Sequence, residues 1–244
     1  MDGILDKKYS DERKKKKYLS FRYKQRALVA SHYINKYLGD NKIKDDLNIL
    51  DFGAAEGLTL IEISKILKVG NFTGIEYDQS LIDSAPELPP NVKLKRGSVT
   101  NLEEIRDNSI DVVTALALME HLEDPLAAMN EAKRILKPRG IFIATSPVPF
   151  WDKMSDKVLS KNKFGGENHL VDLNKKKFME LSKKSGLSLK EYIKFMWAPI
   201  ATIPYFNIDV PVNFAWQFDK AVGKLIFLNF LFVNQCAVFT KDNN

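Results

Sequence analysis

One cysteine, three histidines and no long uninterrupted apolar run are what this 244-residue chain has least of. A lone thiol, Cys236, cannot close an internal disulfide, so a disulfide-stapled fold is excluded and a reducing, cytoplasmic setting is expected. The histidines, His32, His121 and His169, form no dense cluster with cysteines or carboxylates along the sequence, so no metal is expected. The opening stretch, MDGILDKKYSDERKKKKYLS, lacks the apolar segment of a secretory signal. The most apolar stretch, 221–239, is interrupted by Lys224, Asn229, Asn234 and Gln235, which argues against a membrane span. No internal repeat or low-complexity linker stands out.

What is there is an ordinary globular composition, 45% hydrophobic and 28% charged, enough for one α/β domain with insertions. The net charge of +6 is localised. Residues 1–26 carry ten Lys/Arg and four Asp/Glu, so the remainder is neutral in sum. Such an arm can attract nucleic acid, an anionic membrane or an acidic partner, but a solvated, frayed helix start is the plainer expectation for residues 1–17.

Apolar spacing predicts a helix over residues 18–38, with Leu19, Tyr23, Arg26, Ala30, Tyr33 and Tyr37 on one face, broken by GDNKIKDD. LNILDF then reads as a buried strand, followed by a helix with Leu60, Ile63 and Leu67 as its core stripe. NFTGIEYD, VKLKRG, SIDVVTALAL and IFIATSP read as further strands. Between the last two, Asp124 and Pro125 suit a helix start, while Pro138 and Gly140 suit its end. A connector of undefined structure (148–170), a helix in NKKKFMELSKKSG, a strand in LSLKEYIKF, an aromatic segment broken by prolines, and a strand in LFVNQCAVFTK complete the chain. Strands alternating with helices predict a doubly wound, mostly parallel sheet covered on both faces.

ILDFGAAEGLTL, residues 49–60, joins a strand, a glycine turn and a helix, which together make a ligand shelf. The turn lacks the Gly-Lys-Ser/Thr ending of a phosphate-binding loop. It also has Ala55 and Leu58 where a dinucleotide fingerprint needs Gly and Gly/Ala, so NAD and FAD are disfavoured. A nucleoside without phosphates fits better. Asp51 suits a cationic amino-acid end, and Glu76, ending the neighbouring strand, offers two acceptor oxygens to a vicinal diol. Taken singly, Asp51 could merely cap a turn and Glu76 could be an ordinary exposed acid.

With these residues in place, the chain resembles the class I, seven-stranded S-adenosylmethionine-dependent methyltransferases, and most the group containing ubiquinone-type O-methyltransferases and small-molecule or glycan methyltransferases. The resemblance runs from Leu47 to Pro147 and more loosely beyond. ILDFGAAEG stands for the family's Asp-x-Gly-x-Gly-x-Gly, GIEYD for its acidic second-strand end, KRGSVTNL for its third-strand loop, and IDVVTALALMEHLEDPLAAMNEAKRILKPRGIFIATSP for its fourth and fifth strands. It implies S-adenosylmethionine as cofactor and S-adenosylhomocysteine as product. Asp51, Gly53, Ala54, Ala55 and Gly57 would hold the methionine end, Glu76 the ribose, and Tyr77 would stack near the adenine. Ser98 and Val99 would reach the adenine edge, and Ala115 and Leu116 would supply backbone near the methyl. Two positions depart from the pattern: Ala55 replaces the central glycine and is expected to keep ordinary backbone angles, and Ser98 replaces an acid.

Methyl transfer from a sulfonium is a direct displacement that needs alignment, water exclusion and, for a protonated acceptor, a base. His121, after the fourth strand, and His169 are the candidate bases; a helix-start histidine bonding backbone is the plainer reading of His121. Residues 1–46 are expected to form the arm and N-terminal helix, with Arg22 or Arg26 near the donor carboxylate, and residues 47–244 the methyltransferase domain. The insert 196–228 is rich in aromatics (Trp197, Tyr205, Phe206, Phe214, Trp216, Phe218, Phe227) and is expected to cover the substrate, although such density also suits plain core. The expected partner is a small apolar or aromatic methyl acceptor, with peripheral membrane contact as a neighbouring expectation. Nucleic acid is disfavoured, because ALALMEHL stands where base-methylating enzymes carry an Asn-Pro-Pro-Tyr-type motif. The competing readings are a donor-binding protein without turnover and an RNA methyltransferase using the basic arm. The pattern assigns no oligomeric state.

Overall fold

The structure is a computed structural model, describing residues 7–39, 46–151, 153–154 and 169–243. Most of the 148–170 connector therefore lies outside the described residues, as do residues 1–6 of the arm and most of the GDNKIKDD break.

The strands are β1 (Asn48–Phe52), β2 (Asn71–Glu76), β3 (Val92–Arg96), β4 (Ile110–Leu116), β5 (Leu136–Pro147), β6 (Ser188–Trp197) and β7 (Phe232–Thr240). They form one sheet in the order β3-β2-β1-β4-β5-β7-β6. Pairing is parallel from β3 through β5, and β7 runs antiparallel to both β5 and β6. The strand order reverses between β1 and β4, so their carboxyl ends diverge around a crevice where ligands of such sheets bind.

Alternation along the strands splits the core in two. Ile49, Val112, Ile141 and Ile143 face one cluster; Leu50, Val113, Phe142 and Ala144 face the other. The first face is covered by α2 (Lys17–Leu38), α3 (Leu58–Leu67) and a later helix (Val212–Val222); the second by α5 (Pro125–Ile135) and α6 (Lys175–Ser185). Asp124 caps α5, accepting from the N–H groups of Leu126 and Ala127 at 3.0 and 3.1 Å, with Pro125 in the first turn where its missing N–H is harmless. α5 stops at Ile135 rather than at Pro138 and Gly140. Leu136 already pairs with Ile110, so both residues fall inside β5.

The basic arm also departs from expectation. Residues Lys7–Lys15 form a helix, α1, docked across the edge of the fold. Its Ser10 is buried against Ser84 (Oγ to Oγ 3.1 Å), just after the short helix α4 (Gln79–Asp83), and Lys14 donates to the Ser84 carbonyl at 2.7 Å. Charge counting suggested solvation; specific partners hold the helix instead.

The aromatic insert divides into anchor and rim. It contains α7 (Ala198–Thr202), a 3-10 turn (Ile203–Phe206) and α8 (Val212–Val222). Trp216 is buried, and Trp197 and Phe218 pack partly buried against the first core. Buried Asp219 accepts from the N–H groups of Met196 and Trp197 (2.7 and 3.0 Å) and from Gln25 Nε2 on α2 (3.1 Å), tying α8 to sheet and helix together. Tyr205, Phe206, Phe214 and Phe227 remain exposed. Among the described residues no helix is long and apolar enough to cross a membrane.

Candidate functional site

Asp51, the penultimate residue of β1, sits opposite Gly74 of β2 and Thr114 of β4. Its carboxylate is buried and accepts from the Thr114 hydroxyl at 2.6 Å. Burial pushes its pKa up to about 7; the Thr114 bond and Arg13 pull the other way, and neighbouring Glu76 adds to the rise.

The glycine turn follows. The N–H groups of Gly53 and Ala54 donate to the Ile75 carbonyl, and Gly57 N–H closes the turn on Ala54 O at 2.8 Å. Gly53 has φ +68°, and a Cβ there would lie 2.6 Å from Leu118 Cδ1, so no other residue fits without moving that side chain. Ala55 does not keep ordinary angles: its φ is +49°, in the left-handed region. That conformation is unfavourable for alanine and is held by the Ala55 N–H donating to Glu76 Oε2 at 2.8 Å.

Glu76 is therefore part of the turn as well as the end of β2. Its Oε1 accepts from the N–H groups of Tyr77 and Asp78 at 2.8 and 3.0 Å. Three backbone donors fix its orientation and occupy three of roughly four lone-pair directions, which leaves one for a ligand hydroxyl rather than two. Tyr77 beside it is 56% exposed, free of the core and available for stacking. Ser98, beyond β3, shares a hydrogen bond with Thr100 at 2.9 Å. The side chains of Val99 and Ala115 belong to the second core cluster, so these two can face a ligand only through backbone. Leu116 ends β4, and Leu118 beyond it covers Gly53.

Two residues escaped the sequence reading. Glu56, inside the turn, is fully buried, and Arg13 of α1 reaches it at 3.4 Å and Thr59 Oγ1 at 3.1 Å. Arg13 reaches the glycine turn, and Arg26 donates to Asn234 on β7. The GAAEG run does show an acid between two turn residues, but its partner lies too far along the chain for spacing to reveal.

The carboxylates of Asp51, Glu56 and Glu76 thus lie around one turn, with Arg13 paired to Glu56. That balance repels a pyrophosphate and suits a cation. S-adenosylmethionine carries a sulfonium and an ammonium, so the residues present fit it, and they do not fit a dinucleotide.

On the β4 side, Met119–His121 form a 3-10 turn. The two candidate histidines, far apart in sequence, lie together, with ring centroids 4.6 Å apart. A backbone clasp brings them there: the N–H groups of Leu170 and Val171 both donate to Glu120 O, at 2.8 and 3.1 Å. Ligand atoms of Glu120, His121 and His169 all lie within 4.8 Å of one another, a cluster that the linear sequence does not show. His32 stands apart on α2, edge-on to Trp216.

The chain is similar to known proteins in the same region. Residues 50–144 match a family model described as a methyltransferase domain. An uncharacterized methyltransferase of Schizosaccharomyces pombe is 32% identical over 122 residues, covering 46% of this chain and 42% of the relative. A ubiquinone biosynthesis O-methyltransferase of Nitrosospira multiformis is 23% identical over 181 residues, 70% of this chain and 75% of that one. The chain spans less than half the length of the S. pombe relative and of others it matches. Among solved structures, a SAM-dependent methyltransferase from Archaeoglobus fulgidus has the same fold, with a TM-score of 0.64 at 16% identity over 97% of this chain and 100% of that one. Residues 50–144 thus carry a methyltransferase domain, and the chain as a whole has the fold of the S-adenosylmethionine-dependent methyltransferases.

Proposed function

We propose that this protein transfers a methyl group from S-adenosylmethionine to a small apolar or aromatic acceptor. The observation that carries the reading is the carboxylate-rich turn at the β1–β4 crevice, which calls for a cationic nucleoside. When bound, S-adenosylmethionine supplies an electrophilic methyl group that an acceptor atom displaces from sulfur. Asp51 receives the ammonium and Glu76 one ribose hydroxyl. Gly53, Ala54, Ala55 and Gly57 supply close backbone, Tyr77 a stacking face, and Ser98, Val99, Ala115 and Leu116 the remaining backbone edge. His121, just past the end of β4, and His169 beside it are the candidates for handling the proton of a hydroxyl acceptor, directly as bases or through a bound ion.

The apolar acceptor rests on the rim. Phe150 is 62% exposed beyond β5, and Phe227 and Phe230 are 72% and 60% exposed just before β7, whose start lies at the same sheet end. Trp151 joins them through Nε1–H to Phe230 O at 2.6 Å. Ligand sites are mostly apolar with a few polar anchors, and this rim has that character. A membrane-borne acceptor is favoured by one further feature. Lys15 and Lys24 line a groove with Ile208, and Phe206, two residues before Ile208, is exposed, a basic and apolar combination suited to anionic lipid. The RNA reading loses support because Arg13, Lys14 and Lys17 of the arm engage Glu56, Ser84 and Asp209 of the same chain.

Calorimetry with S-adenosylhomocysteine, followed by a methyl-transfer screen over phenolic, lipid, glycan and RNA acceptors, tests the proposal. Binding with turnover on phenolic or lipid acceptors is expected. Binding without turnover on any acceptor identifies a donor-binding protein, and turnover on RNA or free polar sugars alone rejects the apolar acceptor.

A further inference from the structure

We infer that Glu120, His121 and His169 form a binding site for a divalent transition-metal ion of the zinc class, placed at the acceptor side of the β4 end. Two imidazoles and one carboxylate are a donor set suited to such ions, and three protein ligands leave a coordination position open, as catalytic zinc sites do. The spacing is close to what is needed. Bonds of 2.0–2.1 Å put tetrahedral ligand atoms about 3.4 Å apart and opposed ones about 4.2 Å apart. A mutual spread within 4.8 Å is closed by side-chain movements of about 1 Å.

The surroundings favour a built site. Glu120 and His121 are 2% and 5% exposed, while His169 is half-buried, so the cluster is sheltered and opens on the His169 side. A buried carboxylate is held by hydrogen-bond donors or a cation. The paired donation of Leu170 and Val171 N–H to Glu120 O fixes the backbone of both ligand-bearing segments against each other. His121 N–H in turn bonds Leu118 O at 2.9 Å, and Leu118 touches Gly53, which links the cluster to the donor turn through three residues of chain.

An ion held there lowers the pKa of a hydroxyl acceptor in its open position, and the released proton goes to solvent. The acceptor oxygen then forms its bond to the methyl carbon as the carbon–sulfur bond breaks, the electron pair staying on sulfur. This activating role rests on the function proposed above; the site itself does not.

The test uses the full chain stripped with chelator and reloaded with Zn2+, with bound metal counted after gel filtration, and with Co2+ as an absorbing probe of coordination. Wild type is expected to retain one ion per chain and to melt at a higher temperature with Zn2+. Glu120→Gln and His121→Ala alter buried groups and can misfold, so His169→Ala, at the half-buried ligand, is the decisive variant. It is expected to weaken Zn2+ binding by more than about 100-fold, the upper end for losing an outer-shell partner alone. His32→Ala, remote from the cluster, is expected to bind like wild type. No retained metal in wild type, or equal affinity in His169→Ala, overturns the site and leaves a hydrogen-bonded His–Glu–His network. Metal binding with methyl transfer unaffected by chelation overturns the activating role alone. Failure to bind S-adenosylhomocysteine with metal binding intact overturns the function and spares the site.

Discussion

Replacing Arg13 with methionine tests whether the basic arm is part of the fold. Arg13 and Glu56 have side chains 11% and 0% exposed, and the guanidinium also donates to Thr59 and lies over the Tyr23 ring. Methionine keeps much of the apolar stem but leaves Glu56 buried without its cation. Breaking one partner of a buried pair costs about 3–5 kcal/mol. For a domain of this size about 2–4 °C is lost per kcal/mol, so a fall of roughly 6–20 °C in melting temperature is expected. The double variant Arg13→Met, Glu56→Gln removes the stranded charge and is expected to recover a large part of the loss. Because Arg13 also pulls the Asp51 pKa down, the single variant is expected to titrate Asp51 at higher pH. Differential scanning calorimetry on the three chains reads the stability cycle. A single variant within about 0.5 kcal/mol of wild type, as surface changes usually are, would refute the docked arm.

Asp51 makes donor affinity pH-dependent. Its folded pKa lies near 7 and a bound ammonium favours the ionised carboxylate, so binding of S-adenosylhomocysteine releases a proton below that value; affinity is expected to fall by up to about tenfold per pH unit below pH 7 and to level above it. Asp51→Asn should flatten that profile in calorimetry, and an unchanged slope would assign the proton elsewhere. Gly53→Ala puts a Cβ against Leu118 at φ +68°, so a loss of at least about 1 kcal/mol in urea melts is expected, of which Leu118→Ala relieves the contact but not the backbone part. Replacing Phe206 and Phe227, 78% and 72% exposed, with serine is expected to leave stability within about 0.5 kcal/mol while lowering turnover on apolar acceptors; equal turnover would remove the rim from acceptor binding.

The elements legible in the sequence were those whose signal is local. β1, β2 and β4 announce themselves as apolar runs, and Asp124–Pro125 as a helix start, because each signal is written in consecutive residues whatever the strand later pairs with. The antiparallel seating of β7 between β5 and β6 has no such signature: strand direction is decided by connections, and here α7, α8 and their turns intervene. The same separation hid Arg13–Glu56, His121–His169 and the clasp on Glu120 O, each of which joins distant stretches of chain. Ala55 misled for another reason. Alanine advertises ordinary angles, and the bond from its N–H to Glu76, 21 residues away, accompanies its positive φ.

The Asp219 junction has a bearing on how such a chain could diversify. One carboxylate gathers donors from α2 and from the end of β6, and Trp216 is sunk nearby, so the insert is moored to the framework at a few points on its inner side. Phe206 and Ile208 stand outside those moorings, with Phe214 exposed on α8. The outward residues can be exchanged without disturbing what fastens the segment, so the chemistry of this surface is free to vary on a fold that stays the same.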